Sequence, residues 1–223
     1  VSVSPWTPTT TQYSASVGAI QGNSTGNCAG SGAICGPAPL WDHGITGTGQ
    51  IAAVADSGTT PNAAWFTQLD KGAGPHTAVT FSENPPPVLP DIGTLYQDNK
   101  IIAYWLQPGG PIDYDYSSGH GTHVTGTVLG DAAGTFGGNT YLPASPLLPN
   151  HDLADGMAPG AQLLFQDAGP ASASSIIIND FGGTLQQAFN GGARVHNNSW
   201  GAKTGGRYEG NDSELDRATW ANE

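Results

Sequence analysis

Three stretches of this chain carry residue types that could do chemistry, in the order aspartate, histidine, extended segment. Asp56 closes the apolar run Gln50-Ile51-Ala52-Ala53-Val54-Ala55. A carboxylate placed directly after a buried strand needs hydrogen-bond partners, because burying it unpaired costs several kcal/mol. An imidazole N–H is one suitable partner, since the pair fixes the ring tautomer and stabilises imidazolium during acyl transfer. A turn cap with Gly58 is the competing role. His120 stands between Gly119 and Gly121 at the start of a small-residue segment, which leaves its ring room to face a groove. His123 follows three residues later, whereas zinc-binding helices place two histidines four apart with a glutamate between them. A metal hydrolase built on His120 and His123 is the rival to a general base, with bound zinc as its signature, but the segment has neither that spacing nor the glutamate. His123 fits a place satisfied within the core better than His120 does.

The third stretch is Val195-His196-Asn197-Asn198-Ser199-Trp200-Gly201. A strand ending in Ser199, Trp200 and Gly201 would offer backbone groups to an extended peptide, with Trp200 as an apolar wall and Gly201 as an open floor. A core tryptophan beside a turn glycine is the plainer assignment. Asn197-Asn198-Ser199 also matches a glycosylation acceptor, although a buried strand end would disfavour modification.

These residues need elements to position them. Gln50–Ala55, Lys100–Trp105, Gln162–Gln166 and Arg194–Asn198 read as short buried strands, the first ending at Asp56. The pattern predicts a helix from His120 to Leu129, closed by Gly130. A second helix is expected over Thr184–Phe189 with Thr184 as N-cap, and a third opening at Ser213–Asp216 with an acidic first turn. Strands alternating with helices imply an α/β fold with a parallel sheet covered on both faces, where ligand-handling groups gather at the strands' carboxyl ends.

Composition limits the classes open to the chain. Its 223 residues suit one domain, and 33 Gly with 17 Pro make it loop-rich. Six Lys and Arg against 18 Asp and Glu give a net charge of −12, which excludes a nucleic-acid binder and favours solubility and cation binding. No apolar run reaches membrane-spanning length. Cys28 and Cys35, seven residues apart across glycines, favour a local disulfide and an oxidising, secreted or extracellular setting; two free thiols is the alternative, and zinc would need four ligands where His43 is the one obvious neighbour.

Taken together, Val54-Ala55-Asp56-Ser57-Gly58, Gly119-His120-Gly121-Thr122-His123-Val124 and Val195 to Gly201 resemble the subtilisin-like serine proteases. Their order agrees with the Asp, His, Ser order of that triad. Gly47-Thr48-Gly49-Gln50-Ile51, Asp155-Gly156-Met157-Ala158-Pro159 and Gly192 to Gly201 look closest to the oxidatively stable alkaline protease branch. The resemblance covers about 44–223. It implies a subtilisin-like three-layer fold, a mostly parallel sheet between helices, incomplete in this chain, with 1–43 as an extended N-terminal arm and 44–223 as the N-terminal part of a catalytic domain. It further implies that Asp56 orients the imidazole and His120 is the general base. Ser199, Trp200 and Gly201 would line the pocket for the residue before the scissile bond, with 168–182 as the other groove edge.

The nucleophilic serine and the oxyanion asparagine of that family would follow Glu223. A complementary C-terminal part is thus expected as a partner beside the polypeptide substrate, and 1–223 alone is expected to be inactive. A non-catalytic peptide-binding module with a protease-like groove is the alternative. Ser57 stands where Thr is usual and Thr125 where Ala is usual, and insertions occupy 66–99 and 131–155. The resemblance also implies structural calcium. Asp113, Asp115, Asp152, Asp155, Asp212 and Asp216 are available, without an ordered ligand loop.

Overall fold

A computed structural model describes residues 39–61, 63–66, 91–96, 99–109, 115, 119–132, 134–136, 139–141, 155–169 and 176–222. Its elements, in chain order, are α1 (Pro39–Asp42), β1 (Ile51–Asp56), β2 (Ile101–Leu106), α2 (His120–Leu129), β3 (Gly134–Phe136), β4 (Asn139–Tyr141), β5 (Gln162–Asp167), α3 (Phe181–Asn190), β6 (Val195–Asn197) and α4 (Gly210–Ala221). Four strands form one parallel sheet in the order β2-β5-β1-β6, and β3 pairs antiparallel with β4. The α/β architecture expected from the alternation of strands and helices is the one observed.

Side-chain alternation along each strand sorts the core into two faces. On one, Ala52, Val54, Leu163 and Phe165 pack with Val124 and Leu129 of α2; on the other, Ala53 and Leu164 pack with Ala188 of α3 and with Ala193. Val54, Leu163 and Phe165 are wholly buried, and each such side chain contributes about 1.5–3 kcal/mol. In β2 the alternation breaks: Ile102 and Ala103 share a face. A register shift between Ile101 and Ala103 in the β2–β5 pairing supplies the extra residue and returns Tyr104 to the face of Ile101.

Several elements differ from the sequence expectation in their ends. α3 starts at Phe181, three residues before Thr184, because Asp180 is the N-cap and accepts from the Gly183 N–H at 2.8 Å. Gly183 belongs inside that first turn, since a Cβ there would overlap the Asp180 carboxylate. α4 also starts earlier, at Gly210: Glu209 and Asp212 cap each other's backbone reciprocally, so acidic side chains do the work assigned to the Ser213 region. Lys100 precedes β2, and its ammonium is buried against the carbonyl oxygens of Pro159 and Ala161 at 2.5 and 2.7 Å. The arm expected over 1–43 lies outside the described residues except at its end. There, Pro39–Asp42 is a helical turn, with the Trp41 indole N–H donating to the Met157 carbonyl at 3.1 Å. Cys28 and Cys35 also lie outside the described residues.

Candidate active site

Asp56 is the last residue of β1 and wholly buried, and His120 is the first of α2. Burial of the sheet's centre and the start of the helix thus bring two residues 64 apart in sequence into contact. His120 Nδ1 donates to Asp56 Oδ1 at 2.7 Å, and the His120 side chain stays 52% exposed. The carboxylate holds no proton to offer, so this bond places the proton on Nδ1 and presents Nε2 as the acceptor, the tautomer a general base requires. The same Oδ1 accepts from the Ser57 backbone N–H at 2.7 Å. Asp56 Oδ2 is buried with no hydrogen-bond partner among the described residues.

The helix can start beside Asp56 because residue 121 is glycine. A Cβ there would overlap the Gly58 carbonyl oxygen, so any larger residue would push His120 away from its partner. The N-cap of α2, Gly119, is left-handed (φ 69°) and provides no side-chain cap. Side chains from elsewhere take that role: Ser57 Oγ accepts from the Gly121 N–H at 3.1 Å, and Asp115 Oδ2 from the Thr122 N–H at 2.8 Å.

Three features meet at one sheet end: a carboxylate–imidazole pair, a glycine-dependent approach of α2, and strand ends in parallel register. Residues 43–223 match the subtilase family (peptidase S8). The chain belongs to the subtilase family. Among curated relatives, a serine protease/ABC transporter B family protein, tagA, of Dictyostelium discoideum is 28% identical over 184 residues, 82% of this chain. Its tagB counterpart from the same organism is 30% identical over 173 residues, 78% of this chain. The chain spans 8% of the length of either relative.

The segment of this subtilase expected to receive substrate sits two strands' width from β5. Trp200 donates its indole N–H to the Ala55 carbonyl at 2.9 Å, and its ring meets Phe181 edge-on at 5.4 Å. Through Ala55 the segment is tied to the residue before Asp56. Ser199 is exposed and its Oγ accepts from Asn197 Nδ2 at 2.9 Å. Gly201 is exposed and faces open space, and a cavity of about 620 Å³ lies beside Trp200, Gly201, Phe181, Tyr208 and Leu215. Asn197 and Asn198 are half-buried at an edge strand whose Val195 is 65% exposed, so the expectation of a buried strand end around the glycosylation pattern is corrected. Of the groove edge expected over 168–182, residues 170–175 lie outside the described residues.

His123 is exposed on α2, which corrects its expected place within the core; three residues from the helix start, it points away from the face that carries Val124. The described residues hold no group of three or more His, Cys, Asp or Glu able to bind a metal ion. Of the candidate calcium ligands, Asp155 accepts from the Ala132 N–H, Asp216 from the Tyr208 hydroxyl and Asp212 from the Glu209 N–H. Asp113 and Asp152 lie outside the described residues.

Sequence reasoning missed three contributors. Asp167 ends β5 in register with Asp56, wholly buried, accepting from the Tyr104 hydroxyl at 2.7 Å and the Gly169 N–H at 3.3 Å. The ends of two adjacent strands thus carry carboxylates, a pattern visible in Phe165-Gln166-Asp167 only once the register is known. His196 donates from Nε2 to Gln166 Oε1 at 2.9 Å, because the Gln166 amide nitrogen already donates to the Thr184 carbonyl. Its Nδ1 accepts from Asn198 Nδ2 at 3.0 Å, and burial pushes the imidazole down from 6.5 to about 4. Ser57 is the third, noted in the sequence as a hydroxyl residue next to Asp56 that stands where Thr is usual, but without a role.

Proposed function

We propose that this chain carries the general base and its orienting carboxylate for a serine endopeptidase. The Asp56–His120 hydrogen bond, 2.7 Å between a buried carboxylate and a half-exposed imidazole, is the observation that supports this reading. In the proposed reaction His120 Nε2 takes the proton of a nucleophilic serine as its oxygen attacks the peptide carbonyl. It then returns that proton to the leaving amine, and a water repeats the cycle on the acyl-enzyme. Asp56 stays ionised and stabilises the imidazolium between the two transfers.

The serine and the oxyanion donor come from a complementary part of the catalytic domain, outside these residues. Ser199, Trp200 and Gly201 pair with an extended polypeptide, and the cavity beside Gly201 takes the side chain preceding the cleaved bond. Within the family, Asp155 to Pro159 and Gly192 to Gly201 favour the oxidatively stable alkaline protease branch. The serine protease names of the relatives agree with the activity proposed. A secreted location follows from the Cys28–Cys35 disulfide reading and is part of the same proposal.

Fluorophosphonate labelling of the complete protein tests this reading. The expected result is one labelled serine outside residues 1–223, with labelling lost in His120→Ala. Absence of labelling in a folded protein that still binds peptide would replace the enzyme with a peptide-binding module.

A further inference from the structure

We propose that Ser57 and Asp115 are positioning residues that hold the Asp56–His120 pair in register; this rests on the serine-peptidase reading only for its kinetic consequence. Ser57 touches Asp56 and the backbone that follows His120. Its N–H donates to the same Asp56 Oδ1 that receives His120, and its Oγ accepts from the N–H of Gly121, the residue after His120. Asp115 closes the arrangement, accepting from Ser57 Oγ at 2.6 Å through Oδ1 and from the Thr122 N–H at 2.8 Å through Oδ2. Both residues are buried, 9% and 4% exposed.

The direction of each bond follows from what each group can donate. Ser57 has one hydroxyl proton, and a carboxylate only accepts, so that proton goes to Asp115. The hydroxyl lone pairs are then turned toward Gly121, whose N–H has no partner inside the helix. Asp115 thereby sets the orientation of the Ser57 hydroxyl, and the hydroxyl sets where the first turn of α2 sits against the end of β1. With Gly119 offering no side-chain cap, these two groups are what receives the N–H groups of Gly121 and Thr122. Asp115 does this from a left-handed backbone, φ 69°, a conformation that Asp and Asn tolerate better than other non-glycine residues. Asparagine at this position therefore keeps shape and backbone but reverses polarity. An amide that still accepts from Thr122 must point its NH2 at Ser57, which drives the hydroxyl proton toward the Gly121 N–H.

The test uses the complete protein with Ser57→Ala, Ser57→Thr and Asp115→Asn, measuring kcat and KM on a peptide substrate and the low-field imidazole N–H resonance of His120. Ser57→Ala and Asp115→Asn should lower kcat by about 10–100-fold with KM changed less than about twofold, the scale of a small misplacement of a reacting group. They should also shift or broaden the resonance, and Ser57→Thr, which keeps the hydroxyl, should restore both. Unchanged kcat and resonance in Asp115→Asn, the variant best matched in volume, would overturn the proposal. So would equal losses in Ser57→Ala and Ser57→Thr. If the unsubstituted protein hydrolyses no peptide while the resonance still responds to Asp115→Asn, the peptidase reading falls and the positioning role stands.

Discussion

The two flanks of β1 are held by different means. On the α2 side, polar side chains close the junction: Asp56, Ser57 and Asp115 each serve more than one neighbour within a buried space. On the β6 side, Val195 is 65% exposed, Trp220 78% and Leu215 42%, and α4 buries none of its residues. α4 is tied to α3 by the Gly182 N–H donating to Glu214 at 2.9 Å and by exposed amide contacts between Gln186 and Asn222. Directional hydrogen bonds in a buried setting fix angles as well as distances, which an imidazole proposed to transfer protons needs. A surface proposed to receive an extended backbone tolerates more freedom, because a peptide there would supply its own register.

The comparison breaks first at the dyad. In the complete protein His120→Ala is expected to cost about 10⁶-fold in kcat and Asp56→Asn about 10⁴-fold, the scale set by triad members in serine proteases generally. Steady-state kinetics on a peptide checks both, and a loss under tenfold would remove these residues from the chemistry. Gly121→Ala should cost about 10²–10³-fold, because its methyl group forces α2 away from the Gly58 carbonyl and carries His120 with it. Retained activity there would mean that the junction yields more than its packing suggests.

A smaller effect probes the link between the flanks. His196 titrates near 4 when folded and at 6.5 as an unperturbed group. Between those values the unfolded chain binds the proton more readily, so stability present above pH 6.5 is lost as pH falls toward 4. The loss totals roughly 3 kcal/mol. Thermal midpoints measured across that window should fall, and His196→Gln should flatten the slope. The smallest change is expected on the open flank: Trp220→Ala should alter the stability of the chain by no more than about 0.5 kcal/mol. A loss of about 2 kcal/mol or more in the longer protein would show that this flank is covered there.

Residue patterns exposed the four strands of the parallel sheet and the helix from His120 to Leu129, because burial and helix signals are local in sequence; β3 and β4 lay in what read as an insertion, and the pairing of Asp56 with His120 was implied by the family resemblance. Helix starts were less legible. Asp180 and Glu209 begin α3 and α4 through side-chain bonds to backbone, while the glycines and serine beside them suggested other boundaries. His123 was misplaced because its exposure depends on which face of α2 meets the sheet. The bulge at Ile101/Ala103 had no sequence signal, since an unbroken apolar run hides a change of face.

By itself the sequence determined the chemistry on offer: a carboxylate at a strand end, an imidazole at a glycine-flanked helix start, and a strand leading to Ser199, Trp200 and Gly201. Tertiary structure alone decided which groups meet. Strand register set Asp167 beside Asp56, helix docking set Ser57 and Asp115 against the start of α2, and the Gln166 amide chose the tautomer of His196. A hydrogen bond is fixed by distance and direction within a few tenths of an ångström. Residues 64 positions apart acquire that precision only when the sheet and helix have packed.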